Sequence, residues 1–110
     1  MDKISEYRVM WVLIFFDLPT TTKKEVKDAA KFRKTLLGDG FTMFQFSIYV
    51  RRCTSIENAN AHKRRVRAIK PDVGKIGILT ITDKQFGDME LYFGKLFRPP
   101  EAEGQQLELF

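Results

Sequence analysis

Asp17 is the residue best placed for chemistry in this chain. It ends an unbroken apolar stretch, Val9 to Phe16, and stands directly before Leu18-Pro19. A carboxylate at the mouth of a buried strand is a candidate ligand for Mg²⁺ or another divalent cation. A second interpretation is that the Asp17 side chain only closes the turn before Pro19. We carry both interpretations forward, with Asp17 as the candidate catalytic and metal-binding residue.

The chain offers few other groups for catalysis. It has one Cys, Cys53, and one His, His62, which excludes a disulfide scaffold and a Cys/His zinc site within one chain. His62 falls on a predicted helix without an evident partner, so we expect it at the surface. Asp83 follows another predicted strand.

Basic residues are in excess, with 19 Lys and Arg against 14 Asp and Glu and a net charge of +5. An excess of this kind favours a polyanionic partner such as nucleic acid. The candidate phosphate-binding residues lie at the end of one strand and in the last turns of the second helix: Arg51, Arg52, Lys63, Arg64, Arg65 and Arg67. The alternative is a solvated helix face whose cations offset the helix dipole.

Length and composition set the class of protein. A chain of 110 residues with 44% hydrophobic residues is expected to form a single domain. Met1 to Arg8 is polar and unlike a signal peptide, and Val9 to Phe16 is too short to span a bilayer. We therefore expect a cytoplasmic protein with no membrane association.

The first half of the chain predicts a strand, a helix and a second strand region. The strand is Val9–Asp17, and the pair Thr22 and Glu25 fits a capping box that opens a helix to about Leu37. Its predicted apolar stripe comprises Val26, Ala29, Ala30, Leu36 and Leu37, with Arg33 in the middle. An arginine on such a stripe needs a partner or an interface, unless its head reaches solvent along the core.

Phe41 to Arg52 is long for one strand and short for a hairpin. A break near Gln45-Phe46-Ser47 would reverse which side chains face the core.

The second half predicts another helix and a strand. Thr54 and Glu57 fit a second capping box, for a helix through Lys70. Its weak apolar stripe is Ile56, Ala59, Val66 and Ile69. Gly74 to Thr82 is apolar enough for an internal strand, and Asp83 to Lys95 suggests a turn and one short strand.

These elements predict a dimer. Two helices would cover one face of the sheet, whereas Val9 to Phe16 is apolar on both faces. We therefore expect a second copy to cover the other face through a two-fold contact. That arrangement would bring two Asp17 carboxylates together. Residues 98–110 are expected to form a linker and a docking strand after a domain of residues 1–97. In this segment Leu107 and Leu109 alternate with the polar Glu108, and the apolar Phe110 ends it.

Several segments in this order resemble the family of CRISPR-associated protein two, a small subunit of the spacer-acquisition machinery. The segments are Phe16-Asp17-Leu18-Pro19, Phe32-Arg33-Lys34, Gly40-Phe41, Gln45 to Arg51 and Thr82 to Phe86. The resemblance covers nearly the whole chain. It implies an α+β, ferredoxin-like βαββαβ sandwich, with an antiparallel sheet, two helices on one face and an extra C-terminal strand. In that topology the strand before Asp83 runs antiparallel to the first strand, so Asp17 and Asp83 are expected at opposite ends of the sheet.

The resemblance also implies a function. Such proteins are homodimers that hold double-stranded DNA between integrase subunits, and many are described as Mg²⁺-dependent endonucleases on RNA or DNA. Asp17 matches the metal-site aspartate of the family. Phe16 stands where the family often has Tyr, and Lys23 and Lys24 stand where it often has arginines, so these lysines are candidate phosphate contacts. Nuclease activity is expected to be weak or absent.

Three functions therefore compete. The first is a DNA scaffold in a CRISPR integrase complex. The second is a stand-alone, metal-dependent, toxin-like RNase. The third is a ferredoxin-like dimeric regulator that binds no nucleic acid.

Overall fold

Strand β1 lies at the centre of a four-stranded antiparallel sheet in the computed structural model, which describes residues 8–100. The elements, in chain order, are β1 (Met10–Asp17), α1 (Lys23–Gly38), β2 (Thr42–Gln45), β3 (Ile48–Cys53), α2 (Ile56–Ile69), β4 (Lys75–Thr82), α3 (Asp83–Gly87), β5 (Leu91–Phe93) and β6 (Leu96–Arg98). The sheet order is β2-β3-β1-β4, and β5 and β6 form a separate hairpin. This α+β arrangement is the ferredoxin-like βαββαβ fold that the family resemblance implied.

The register of the sheet fixes where the acids lie. Strand β4 pairs antiparallel with β1, so Met10 is opposite Thr82 and Asp17 is opposite Lys75. Asp83, which follows Thr82, therefore lies at the other end of the sheet from Asp17. The predicted separation of the two acids is confirmed.

Both long helices cover the same face of the sheet. Alternate residues of β1 pack there against α1 and α2, in a core that contains Val12, Ile14, Phe16, Phe32, Leu36, Ala59 and Val66. Burying each large apolar side chain contributes about 1.5–3 kcal/mol. This core fixes the register of β1, since a slip by one residue would turn Val12 and Ile14 to the opposite face.

Helix α1 begins as predicted, whereas its buried stripe differs. The Thr22 side chain accepts from the Glu25 backbone N–H at 3.1 Å, and the Glu25 carboxylate accepts from the Thr22 N–H at 3.0 Å. The buried positions are Ala29, Phe32 and Leu36, while Val26 and Leu37 are exposed. The predicted stripe was therefore rotated by about one helical position, because Phe32 and not Val26 fills the space over β1.

Helix α2 begins one residue later than expected. Ser55, and not Thr54, is its N-cap, and the Ser55 side chain accepts from the Asn58 N–H at 2.9 Å. The predicted stripe is wrong at its ends, since Ile56 and Ile69 are exposed and His62 is buried between Ala59 and Val66.

The region from Phe41 to Arg52 is a hairpin with a two-residue turn at Phe46-Ser47. Ser47 has a φ of 70° in the left-handed region, and its carbonyl accepts from the Phe16 N–H at 3.1 Å. The register shifts between Met43 and Gln45, which confirms the predicted irregularity. Phe44 and Tyr49 consequently lie in the cores on opposite faces of the sheet.

The second face of the sheet is partly covered by the chain itself, so the expectation that the whole of this face needs a cover from outside the chain was wrong. Trp11 stacks on Phe86 of α3 with ring centroids 3.8 Å apart, and its Nε1–H donates to Asp83 Oδ1 at 2.7 Å. Met89 and Leu91 pack against the same cluster. The segment predicted as a turn and one short strand is thus α3 followed by a hairpin, since Thr82 and Gln85 form a capping box that opens α3.

Strand β4 is the outer strand of the sheet, not an internal one. Its residues are only partly buried, although its sequence is apolar. The predicted docking segment with Leu107, Leu109 and Phe110 lies outside the described residues. Within residues 8–100, no helix is long and apolar enough to cross a membrane.

Candidate functional site

The Asp17 carboxylate is exposed at the end of β1 and has no hydrogen-bond or ion-pair partner among residues 8–100. Its side chain therefore does not close the turn before Pro19. The loop before β4 packs closely against the backbone of Asp17. Gly74 in this loop has a φ of 89°, and a Cβ added there would lie 2.8 Å from the Asp17 carbonyl oxygen. Asp17 is thus held rigidly at its backbone, with its carboxylate left free.

An apolar area lies next to Asp17 on the face of the sheet opposite the long helices. Leu13 and Phe15 alternate with the buried residues of β1, and Leu79 of β4 is directly opposite Leu13. Phe15 is 46% exposed and Leu79 is 47% exposed. The Phe15 ring lies over Gly77, where a Cβ would be 2.2 Å from the ring. We call Leu13, Phe15 and Leu79 the open half-face.

One protomer does not supply a fitting Mg²⁺ site at Asp17. Mg²⁺ requires near-octahedral oxygen coordination, commonly with one or two carboxylates plus waters or phosphates. The described part of the chain contains no group of three or more His, Cys, Asp or Glu residues that could hold a metal ion. Asp17 alone therefore leaves a metal to be held mainly by another chain or by substrate.

Lys23 and Lys24 open helix α1, close in sequence to Asp17. Lys24 Nζ lies 2.8 Å from Asp28 Oδ2, and this hydrogen bond raises the pKa of Lys24. Lys23 is exposed and has no ion pair among the described residues. Of the two, Lys23 is the cation more available to phosphate.

The other predicted phosphate-binding residues divide into two groups. Arg51 and Arg65 already have acceptors: Arg51 Nε donates to the Asp39 carbonyl at 2.8 Å, and Arg65 Nη1 donates to Asp39 Oδ1 at 2.7 Å. The other four residues have no ion-pair partner within residues 8–100; they are Arg52, Lys63, Arg64 and Arg67. We call these four the free cations.

A cluster around Asp39 was missed by the sequence reasoning. His62 is 5% exposed, and its Nδ1 lies 2.7 Å from Asp39 Oδ2, so the expectation of a surface histidine was wrong. Burial disfavours the charged form of Asp39, but hydrogen bonds from His62 and Arg65 outweigh it and lower the pKa of the carboxyl. Asp39 thereby ties the end of α1 to α2 and β3.

The only sequence signal for this cluster was the Gly38-Asp39-Gly40 helix stop. Asp39 and His62 are 23 positions apart, and nothing local in the sequence connects them. An acid between two glycines, with an otherwise unexplained His in the next helix, is the pattern that could have suggested a pair.

Comparison with known proteins decides the family. Residues 10–89 match the family model described as CRISPR associated protein Cas2. The match runs from β1 through α3, and so includes Asp17, the Asp39 cluster and all the predicted phosphate-binding residues. The chain belongs to the Cas2 family.

Cas2 proteins from three bacteria illustrate the similarity, and each is named a CRISPR-associated endoribonuclease Cas2. The Flavobacterium psychrophilum protein is 57% identical over 98% of this chain and 94% of its own length. The Parvibaculum lavamentivorans protein is 52% identical over 92% of this chain and 100% of its own length. The Paracidovorax avenae protein is 40% identical over 97% of this chain and 99% of its own length. The similarity to these Cas2 proteins establishes a CRISPR-associated role.

Proposed function

We propose that this Cas2-family chain acts in CRISPR spacer acquisition as a homodimeric scaffold, which binds double-stranded DNA and bridges integrase subunits. The observation that carries the proposal is the excess of basic over acidic side chains in the chain. Residues 8–100 hold 18 Lys and Arg side chains and nine Asp and Glu side chains, and the free cations have no partner in this part of the chain. A surface of this kind binds phosphate backbones without reading base sequence.

The homodimer is supported by the open half-face. Leu13, Phe15 and Leu79 are contiguous across β1 and β4. The cluster of Trp11 and Phe86 packs against Leu13, whereas Phe15 and Leu79 stay exposed. A second copy related by a two-fold axis would bury this area and would bring a second Asp17 close to the first.

Nuclease activity belongs to a second, weaker part of the proposal. The names of the relatives favour cleavage of RNA, yet hydrolysis with metal ions needs several ligands or a general base near the scissile phosphate. Here Lys75 lies opposite Asp17 across β1 and β4, and Lys23 and Lys24 follow Asp17 closely in sequence. None of these three residues is a carboxylate. We therefore place any Mg²⁺ between the Asp17 carboxylates of two protomers and expect slow cleavage of RNA or DNA at most.

The segment with Leu107, Leu109 and Phe110 is the proposed attachment to a protein partner. Its alternating apolar side chains would enter pockets while Glu108 stays in water, as in peptides that add a strand to a sheet edge. Outer strand β4 shows that this chain has such an edge.

Sedimentation of the purified chain tests the scaffold function. We expect a dimer alone, and a larger complex when the integrase subunit of the same CRISPR system and a DNA duplex are both added. A chain that sediments as a monomer, and that forms no larger complex when the integrase subunit and the DNA duplex are added, would contradict the proposal.

A cleavage assay then separates the competing functions. Rapid Mg²⁺-dependent turnover of RNA that is lost in Asp17→Asn would favour the toxin-like RNase. Failure to bind any nucleic acid at low salt would favour the ferredoxin-like regulator.

A further inference from the structure

Helix α1 has a second stripe of side chains, beside the one that enters the core. Val26, Ala30, Arg33 and Leu37 follow one another at spacings of four, three and four, which places them on one side of the helix. Val26 is 50% exposed and Leu37 is 52% exposed. An exposed apolar stripe on a helix whose core face is already filled requires an explanation outside the protomer.

Arg33 lies in the middle of this stripe and lacks a counter-ion within residues 8–100. Its guanidinium carbon is 5.6 Å from the centroid of the Phe16 ring and 5.2 Å from that of Phe46. Its Nε is buried without a hydrogen-bond partner. A partly buried cation that has aromatic neighbours and no anion is costly unless an acceptor arrives from elsewhere.

Two residues of the β2–β3 hairpin extend the stripe. Phe46 is 76% exposed, at the tip of a turn that the left-handed Ser47 holds in place. Met43 is exposed, and it pairs with Tyr49, whose ring lies in the core on the helix side of the sheet. The α1 face is therefore the set Val26, Ala30, Arg33, Leu37, Met43 and Phe46.

We propose that the α1 face is a docking surface for a partner protein that presents an apolar surface with one Asp or Glu carboxylate for Arg33. Its composition supports this occupant, because Arg, Phe and Met are enriched at the centre of protein interfaces, where Lys is depleted. A hydrated phosphate backbone would satisfy Arg33 but would leave Val26, Leu37 and Met43 in water.

A second copy of this chain is a poor occupant. A two-fold contact centred on the α1 face would bring two uncompensated Arg33 cations towards each other, and like charges close together are unfavourable. The α1 face also lies on the helix side of the sheet, away from the open half-face assigned to the dimer. It therefore stays accessible in the proposed homodimer.

The inference is tested with the integrase subunit as the probe, and in this respect it rests on the proposed function. The variant is Arg33→Met, which keeps the length and the apolar part of the side chain. The matched control is Lys27→Met, which removes an exposed cation of α1 from outside the stripe. Affinity for the purified integrase subunit and thermal unfolding of the free chain are measured for both variants.

We expect Arg33→Met to weaken integrase binding at least tenfold, while the Tm of the free chain stays equal or rises, because an unpaired cation has been removed. Lys27→Met should change neither. If the unmodified chain binds integrase and Arg33→Met binds it equally well, the inference is wrong and the proposed function stands. If the unmodified chain does not bind integrase, both are wrong.

A photo-crosslinking residue in place of Phe46 identifies the occupant directly. The expected product joins one copy of this chain to one integrase subunit. A product with a second copy of this chain, or with DNA, would overturn the assignment.

Discussion

Asp39 and Asp17 are two carboxylates of one fold in opposite situations. Asp39 is 16% exposed, and its two oxygens and its carbonyl accept from His62, Arg65 and Arg51. The Asp17 carboxylate is exposed and accepts from no group within residues 8–100. The first is fully used in holding α1, α2 and β3 together, whereas the second is held at its backbone and left free.

The difference shows that titratable groups packed together need not mark an active site. The Asp39 cluster has a buried His-Asp pair, the arrangement that orients a base in many enzymes, and Asp39 and Arg65 border a cavity of about 430 Å³ between α1 and α2. The acceptor oxygens of Asp39 are nonetheless all taken by His62, Arg65 and Arg51, whose contacts hold α1, α2 and β3 together. The Asp17 carboxylate has no hydrogen-bond or ion-pair partner within residues 8–100, and the function proposed for it depends on a second chain or a nucleic acid.

The largest effect should follow from removing the Asp39 carboxylate. Asp39→Ala leaves His62 buried without its partner, and we expect the free energy of unfolding to fall by about 2–4 kcal/mol. Asp17→Ala is the matched control and should change it by about 0.5 kcal/mol or less. Urea denaturation measures the free energy of unfolding of both variants. Equal losses in the two variants would contradict the different roles assigned to Asp39 and Asp17.

Acid should remove the contribution of Asp39 to the free energy of unfolding. Because the pKa of Asp39 is lowered from 3.8 in the folded chain, the folded state binds fewer protons than the unfolded state. The stability from Asp39 is therefore present above about pH 4 and is lost as the pH falls through the folded pKa. Unfolding free energies measured between pH 6 and about pH 2.5 should fall less steeply in Asp39→Asn, and parallel curves would contradict this account.

Crowding the open half-face beside Asp17 should weaken the dimer. A Cβ at Gly77 would lie 2.2 Å from the Phe15 ring, so Gly77→Ala must displace that ring from the surface. We expect the dimer dissociation constant to rise about tenfold, equivalent to about 1.4 kcal/mol. The control is Gly87→Ala, where an added Cβ meets nothing within 4 Å. Equal dissociation constants by sedimentation would remove the open half-face from the interface.

The smallest effect distinguishes free cations from those held by Asp39. Arg64→Gln should weaken duplex binding a few-fold and lower the slope of log affinity against log salt by about 0.9, because one phosphate contact is lost. Arg65→Gln should alter that slope less, since its guanidinium is already paired with Asp39, and should instead lower thermal stability. The reverse pattern would mean that the pairing with Asp39 breaks when DNA binds.

The sequence predicted those parts of the fold that depend on local signals. Strand β1 follows from its apolar run, and α1 from the Thr22–Glu25 capping box. The boundary of α2 was missed by one residue because Thr54 and Ser55 are adjacent and both can cap a helix. The cover over Trp11 was missed because Phe86 comes from a one-turn helix too short to show a period.

The candidate site was predictable only in part, because some of its residues are brought together by long-range packing and not by local sequence signals. Asp17 could be found because it stands at the end of a recognisable strand. The pair of Asp39 and His62 joins a helix end to another helix, and its formation depends on how α1 and α2 pack over the sheet. The packing of α1 and α2 also determines which arginines have an ion-pair partner and which do not.

The central claim is that this chain holds DNA through the free cations and independently of Asp17. The direct measurement is duplex affinity over a salt series, with EDTA present, for the unmodified chain, for Asp17→Asn and for a variant with Arg52, Lys63, Arg64 and Arg67 all replaced by Gln. We predict that Asp17→Asn binds like the unmodified chain and that the fourfold variant loses most of its affinity and salt dependence. Loss of binding in Asp17→Asn, with the fourfold variant unaffected, would contradict the account.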